Sequence, residues 1–217
     1  MKLKQICNHP ALALKEDPEA AAQGEAAGSF AARSAKVQRL EEILEEVIEA
    51  GDRALLFTQF AEWGHLLKAH LERKWRQEVP FLYGNTSKVE RQAMVDRFQD
   101  DPRGPQLFLL SLKAGGVGLN LTRASHVFHI DRWWNPAVEN QATDRAFRIG
   151  QKRNVLVHKF ACRGTIEERI DQLLQSKRDL ADSVLGTSNG AETLITEMSN
   201  SEILQFVSLN LNSIGHE

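Results

Sequence analysis

The chain has 217 residues, 42% apolar and 26% charged, with a net charge of -2 and a sequence pI of about 6.4. This is the range of a globular chain with one ordinary domain and appendages. It argues against a dedicated nucleic-acid binder, which is usually basic. No apolar run approaches the roughly eighteen residues of a membrane helix, and the N-terminal MKLKQICNHP has no apolar core of the kind a secretory signal needs.

The mean charge hides an asymmetry. Residues 113–153 carry seven Lys/Arg (113, 123, 132, 145, 148, 152, 153) against three acids, whereas residues 1–50 carry six against nine. A local basic patch on a mildly acidic domain is therefore expected. The two cysteines, Cys7 and Cys162, lie far apart, which fits a reducing compartment and gives no disulfide framework. Cys7 with His9 lacks a second ligand pair at a zinc-like spacing, so no metal site is expected.

In chain order, residues 1–15 read as a short helix or an extended lead-in, and residues 17–29, DPEAAAQGEAAGS, as a mobile loop without periodicity. From Ser34 the pattern turns helical: Leu40, Ile43, Leu44, Val47 and Ile48 share one face, and Gly51 ends it. RALLFTQF is a short apolar run, expected of a strand buried on both faces. Residues 61–76 carry Trp63, Leu66, Leu67, His70 and Leu71 at helical spacing. VPFLY reads as a second strand, followed by a helix with Ser87 as N-cap and Glu90 completing a capping box. QLFLLSL and SHVFHI are the third and fourth strands. Asn135-Pro136 opens another helix, and NVLVHKF is the fifth strand. A long helix over 165–185 carries Ile166, Ile170, Leu173, Leu174, Leu180 and Val184. Residues 186–199 read as weakly structured, and SEILQFVSL as a last short helix. Alternating strands and helices with nearly continuous apolar strands predict an α/β fold: a parallel sheet with helices on both faces. Ligands of such sheets bind beyond the carboxyl ends of the strands.

Three stretches after strands carry candidate chemistry. SLKAGGVGLNLT places Gly115, Gly116 and Gly118 after the third strand, with Ser111, Lys113, Asn120 and Thr122 in reach. A tight turn and a backbone cradle for an anion both fit it. NQATDRAFRIGQ, residues 140–151, puts Gln141, Asp144, Arg145 and Arg148 on one side of a helix. A solvated charged face would read the same way, but two rigid guanidinium forks suit phosphate. Trp133 and Trp134 are costly to expose; at least one is expected to pack, and the other functional reading is a stacking surface for nucleic acid.

Taken together, LKQICNHP, RALLFTQF, YGNTSKVERQAMVDRFQ, the block LSLKAGGVGLNLTRASHVFHIDRWWNPAVENQATDRAFRIGQ and FACRGTIEERI resemble, in order, the lead-in, motif IV, the block after it, motifs V to VI and the brace of the Swi/Snf family of DNA-dependent ATPases, helicase superfamily two. The likeness covers roughly residues 3–185. It implies the second RecA-like lobe over residues 34–162, after a lead-in and loop at 1–33 and before C-terminal brace helices in 163–217. Phe147 stands where many eukaryotic members have histidine, and with the alanine-rich composition this suggests a prokaryotic source and a cytoplasmic, nucleoid-associated place.

Carried onto this chain, the resemblance makes Arg148 the arginine finger and Arg145 the second phosphate or interlobe contact, with Gln141 and Asp144 positioning them. Gly116, Gly118 and Asn120 would lie on the nucleotide side. Ser111 and Lys113, with Thr86, Arg91 and Trp133, would face double-stranded DNA, gripped through its backbone without reading bases. Neither GxxxxGK[ST] nor a DE box after a strand occurs, so ATP and magnesium would be bound mainly by a first lobe, and negligible ATP hydrolysis is expected of this chain alone. Met1 directly before the lead-in suggests a cut at a domain boundary or a split gene. A non-catalytic docking module that kept the fold, and the second lobe of a strand-separating helicase, are the alternatives. A protein client is implied but not identified. An isolated lobe would expose its cleft face, including the tryptophan pair.

Overall fold

The computed structural model describes residues 2–23, 29–112, 118–183 and 199–208. Five parallel strands form one sheet in the order β2-β3-β1-β4-β5, with β1 Ala54–Thr58, β2 Phe81–Leu82, β3 Leu107–Ser111, β4 His126–His129 and β5 Leu156–Lys159. Every residue of β1 and β3 is buried, as continuous apolar runs require when both faces are covered. Alternation along the strands divides the core. Leu56, Leu107, Leu109, Phe128 and Ile130 face helices α4 Ala35–Glu49 and α5 Ala61–Trp75, while Leu55, Phe57, Phe108, Leu110 and Val127 face α6 Lys88–Asp100 and α7 Pro136–Thr143. The edge strand β5 departs from this pattern, because Leu156 is 55% and Val157 37% exposed. It pairs with β4 alone.

The local signals act as expected. Ser34 Oγ accepts from Val37 N–H at 3.3 Å to open α4, and Gly51, at φ +69°, lets the chain leave it. Ser87 and Glu90 close a reciprocal capping box on α6. Asn135 caps α7, with Pro136 in its first turn.

Two readings change. The stretch expected to be a loop contains helix α3 Pro18–Gln23, following α1 Lys2–Asn8 and α2 Pro10–Leu14. Asp17 Oδ1 accepts from Ala20 N–H at 3.0 Å, and Ala21 is buried in the cluster that includes α5. Small alanines allow this close approach while leaving no apolar stripe to read. The second change concerns α7, which stops at Thr143 rather than running through residue 148. Leu121 N–H takes the Arg145 carbonyl at 3.0 Å, and the Gln151 side-chain amide takes the Ala146 carbonyl at 3.0 Å. Before them, Arg145 N–H takes the Ala142 carbonyl (3.3 Å) and Ala146 N–H the Thr143 carbonyl (3.0 Å), three residues back instead of four, so the i-to-i+4 ladder gives way to tighter turns. The segment expected to be weakly structured lies, up to residue 198, outside the described residues.

The lead-in and the brace join the sheet through buried polar groups. Asp131, directly after β4, accepts from Thr58 Oγ1 (2.6 Å), Gln59 N (3.1 Å), Gln59 Nε2 (2.9 Å) and Asn8 Nδ2 (3.2 Å). Burial pushes its carboxyl pKa up, and these donors and the nearby lysines oppose the shift. Lys4 donates to Gln59 Oε1 and the Arg132 carbonyl, and burial lowers its pKa. Lys36 Nζ, on α4, donates to Asn8 Oδ1 and to both oxygens of Glu167, each at 2.8 Å. Glu167 belongs to α8 Ile166–Ser183, whose Ile170 and Leu174 pack with Trp134 and with Phe206 of α9 Asn200–Val207. Arg132 continues the network to Glu139 (3.4 Å) and Asp171 (2.7 Å).

Lys36→Met removes the cation and leaves Glu167 buried with its charge. Urea denaturation should show a loss of about 3–5 kcal/mol, much of it recovered in the double variant Lys36→Met, Glu167→Leu.

Candidate nucleotide-facing site

Three arginines converge beyond α7. Arg145 is only 4% exposed, and its Nε and Nη1 have no hydrogen-bond partner among the described residues. Burial, with the charges of Arg148 and Arg91, pulls its pKa down to about 10. Arg148 is exposed and donates from Nη1 to the Gly118 carbonyl at 2.7 Å. That bond and the Leu121–Arg145 backbone bond stitch residues 118–121 to 145–148, so the two motifs form one surface. Gly118 sits at φ +48°, a left-handed turn suited to glycine. The arginines do not stand at the carboxyl rim of the strands. They lie against residues 118–124, which lead into β4. Phe147 and Ile149, flanking Arg148, are exposed.

The other predicted residues divide. Asn120, Gln141 and Asp144 are exposed, and among the described residues no hydrogen bond joins Gln141 or Asp144 to either arginine. Arg91, expected on the DNA side, lies within the electrostatic reach of Arg145. Thr86 closes its own turn, its Oγ1 accepting from Tyr83 N–H at 3.1 Å. Ser111 is buried at the end of β3, in register with Thr58. Trp133 is half-buried against the α6/α7 core, its backbone N–H donating to Glu139 Oε1 at 3.0 Å, and Trp134 stacks on Phe206 at 6.3 Å. Both tryptophans pack, so the exposed apolar groups beside the arginines are Phe147 and Ile149 instead. Lys113, Gly115 and Gly116 lie outside the described residues.

The basic patch read from residues 113–153 is not one surface. Arg132 is consumed in buried ion pairs, and Arg145 and Arg148 form the cluster above. Arg123, Lys152 and Arg153 line an open groove of about 950 Å³ with Arg53 and Arg103, among the loops that lead into β1, β3, β4 and β5. Arg53 there is anchored on the carbonyls of Phe98, Asp101 and Pro102, and Arg153 pairs with Asp52. His9 is engaged structurally: Nδ1 accepts from Ala11 N–H at 3.0 Å, and Nε2 meets the Phe30 carbonyl at 2.8 Å. Among the described residues no three His, Cys, Asp and Glu side chains converge as a metal donor set. Sequence reasoning missed Glu139, which is fully buried between Arg132 and Lys159. Its one local signal is its place in the first turn of a Pro-started helix.

His129 fixes the floor of α7. Its Nε2 hydrogen-bonds Thr143 Oγ1 at 2.8 Å, and its ring stacks on Phe57. Burial pushes its pKa down to about 4, with Glu139 opposing and Lys159 and Arg132 adding.

This geometry belongs to the C-terminal lobe of superfamily-two helicases, and the helicase conserved C-terminal domain family matches residues 35–150. The chain belongs to that family, in its Swi/Snf branch. It is 48% identical over 209 residues to YwqA of Bacillus subtilis, provisionally named an ATP-dependent helicase/translocase, covering 96% of this chain and 21% of YwqA. The Sulfolobus solfataricus SWI2/SNF2 ATPase C-terminal domain superposes with a TM-score of 0.73 at 40% identity, over 97% of this chain and 79% of that one. The Sulfolobus solfataricus ATPase core in complex with dsDNA gives 0.76 at 42% identity, over 97% of this chain and 41% of that one. The chain thus spans about a fifth of YwqA and less than half of the Sulfolobus core. Among the described residues no helix is long and apolar enough to cross a membrane.

The depressed pKa of His129 gives a pH dependence. The folded state keeps the ring neutral, while the unfolded chain takes up a proton below about 6.5. Its contribution is complete above that pH and is lost as pH falls toward 4, about 3 kcal/mol in all. Urea midpoints of His129→Gln should fall less steeply than wild type across that window.

Proposed function

We propose that the chain is the C-terminal motor lobe of an ATP-dependent translocase on double-stranded DNA, and that Arg148 is its arginine finger. The observation that carries this reading is the arginine cluster. Arg145 is buried with two guanidinium nitrogens unpartnered among the described residues, and the two charges that act most on it are cations. Such an arrangement costs several kcal/mol in the absence of an anion and is offset when a polyphosphate arrives. Arg148, exposed and held by one carbonyl, is the group free to swing toward a transferring phosphoryl. Arg145 and Arg91 supply the standing field. Gly118 and Asn120, with Gly116, line the nucleotide side, and Gln141 and Asp144 face the partner lobe.

The first lobe holds ATP and magnesium and activates the water; this chain contributes charge and closure. Phe147 and Ile149 are the apolar flank on which that lobe docks. Ser111, Lys113, Thr86 and Trp133 remain the candidates for the DNA side, and the Sulfolobus core captured with dsDNA supports a duplex as the track. The likeness to a bacterial relative supports a nucleoid-associated place in the cytoplasm.

The test is ATP turnover with duplex DNA. The chain alone should be inactive. Joined to its first lobe it should turn over ATP, and Arg148→Ala should reduce the rate roughly a thousandfold with DNA binding retained. Undiminished turnover in that variant would make the chain a docking module. Displacement of a strand from a forked duplex would make the parent a helicase in the strict sense.

A further inference from the structure

The chain's two cysteines are set side by side by the fold, although 155 residues separate them. Cys7 is on the last turn of α1, and Cys162 lies between β5 and α8. The Cys162 thiol donates to the Cys7 backbone carbonyl at 3.3 Å, which brings the two side chains together. Neither is fully buried; both line an apolar groove of about 420 Å³ with Leu3, Ile6, Ile166 and Val207. The position is rigidly specified. Glu167, held by Lys36, accepts from Cys162 N–H at 3.0 Å, and Thr165 Oγ1 donates to the Cys162 carbonyl at 2.7 Å. The neighbouring Cys162 thiol, helped by Thr165 and opposed by burial, pulls the Cys7 thiol down to about 7, while the neighbouring Cys7 and burial push Cys162 up. Near neutral pH a substantial share of Cys7 is thus nucleophilic thiolate, and its neighbour keeps the proton.

We propose that Cys7 and Cys162 form a hydroperoxide-sensitive dithiol that closes to a disulfide, stapling the lead-in helix to the brace. The Cys7 thiolate attacks one peroxide oxygen, the O–O bond breaks, Cys7 becomes a sulfenic acid, and the other oxygen leaves as hydroxide. The Cys162 sulfur then attacks the Cys7 sulfur, the S–O bond breaks, and water departs with the Cys162 proton. Two thiols lose two electrons in total, and hydrogen peroxide becomes two waters. A dithiol reductant reverses the bond by exchange. The closed loop runs from α1 through the whole sheet to the entry of α8, and cross-links that span long loops restrict the unfolded chain most. This assignment is independent of the ATPase reading.

The experiment treats the purified chain with a small excess of hydrogen peroxide and maps its peptides without reduction. Expected are a linked Cys7–Cys162 peptide within a monomer, loss of both free thiols, and a melting midpoint higher by at least about 4 °C, all reversed by dithiothreitol. Cys162→Ser, verified as folded by near-ultraviolet circular dichroism, should stop at a Cys7 sulfenic acid that dimedone traps. Wild-type protein that goes to sulfinic or sulfonic acid at Cys7 without a linked peptide, links only between chains, or melts no higher once linked would overturn the proposal.

Discussion

The rest of the structure depends on one buried carboxylate. Asp131 lies just past β4 and collects donors from the end of β1 and from the lead-in helix, so three segments remote in sequence meet at one side chain. A carboxylate without those donors would be expelled or neutralised; with them it dictates where α1 must lie. Asn8 passes the constraint on: its amide donates to Asp131, and its carbonyl oxygen accepts from Lys36, which is paired with Glu167. Lead-in, lobe and brace are thereby tied by directional bonds that tolerate little sliding, in addition to apolar packing that would tolerate more. The next residue, Arg132, extends the same logic toward α7 and α8.

That scaffold explains how a charged cluster persists at its margin. Arg145 is held in place by its backbone, through the Leu121 bond, and by the packing of Ala142 and Ala146 against the sheet. Its position therefore does not require a carboxylate partner. A guanidinium fixed by its own main chain is held without its nitrogens being used, the kind of preorganisation the proposed role would draw on. Among the described residues Arg148 is tethered by one neutral carbonyl, the contact that the proposed finger would have to leave.

Much of the fold was legible because it rests on local or periodic signals. β1 and β3 are continuous apolar runs; α4 and α6 carry their own caps, and Pro136 marks the start of α7. What was not legible is decided by distant partners. Nothing near Thr143 says that the helix will tighten into three-residue turns there and that Leu121 and Gln151 will take the carbonyls beyond. The alanines of α3 conceal its buried side. Lys4, Lys36 and Glu167 look like ordinary surface charges until the chain is folded. The arginines were readable as a pair, but the third member, Arg91, belongs to another helix and could be assigned only by proximity.

The strand order has a consequence for how the chain is made. β1 occupies the middle of the sheet, yet its neighbours β3 and β4 begin about fifty and seventy residues further along. During synthesis the most apolar strand of the N-terminal half emerges with neither side paired, and Asp131 must follow before its end can be sealed. Non-local pairing of this kind slows folding, because chain closure precedes any contact that rewards it. Until then Leu55, Leu56 and Phe57 form an unpaired apolar segment, the sort of intermediate that chaperones shield. The helix α4 just upstream, rich in glutamate on its outer face, travels with that segment and supplies the charge that keeps the nascent half dispersed until the second half of the sheet arrives.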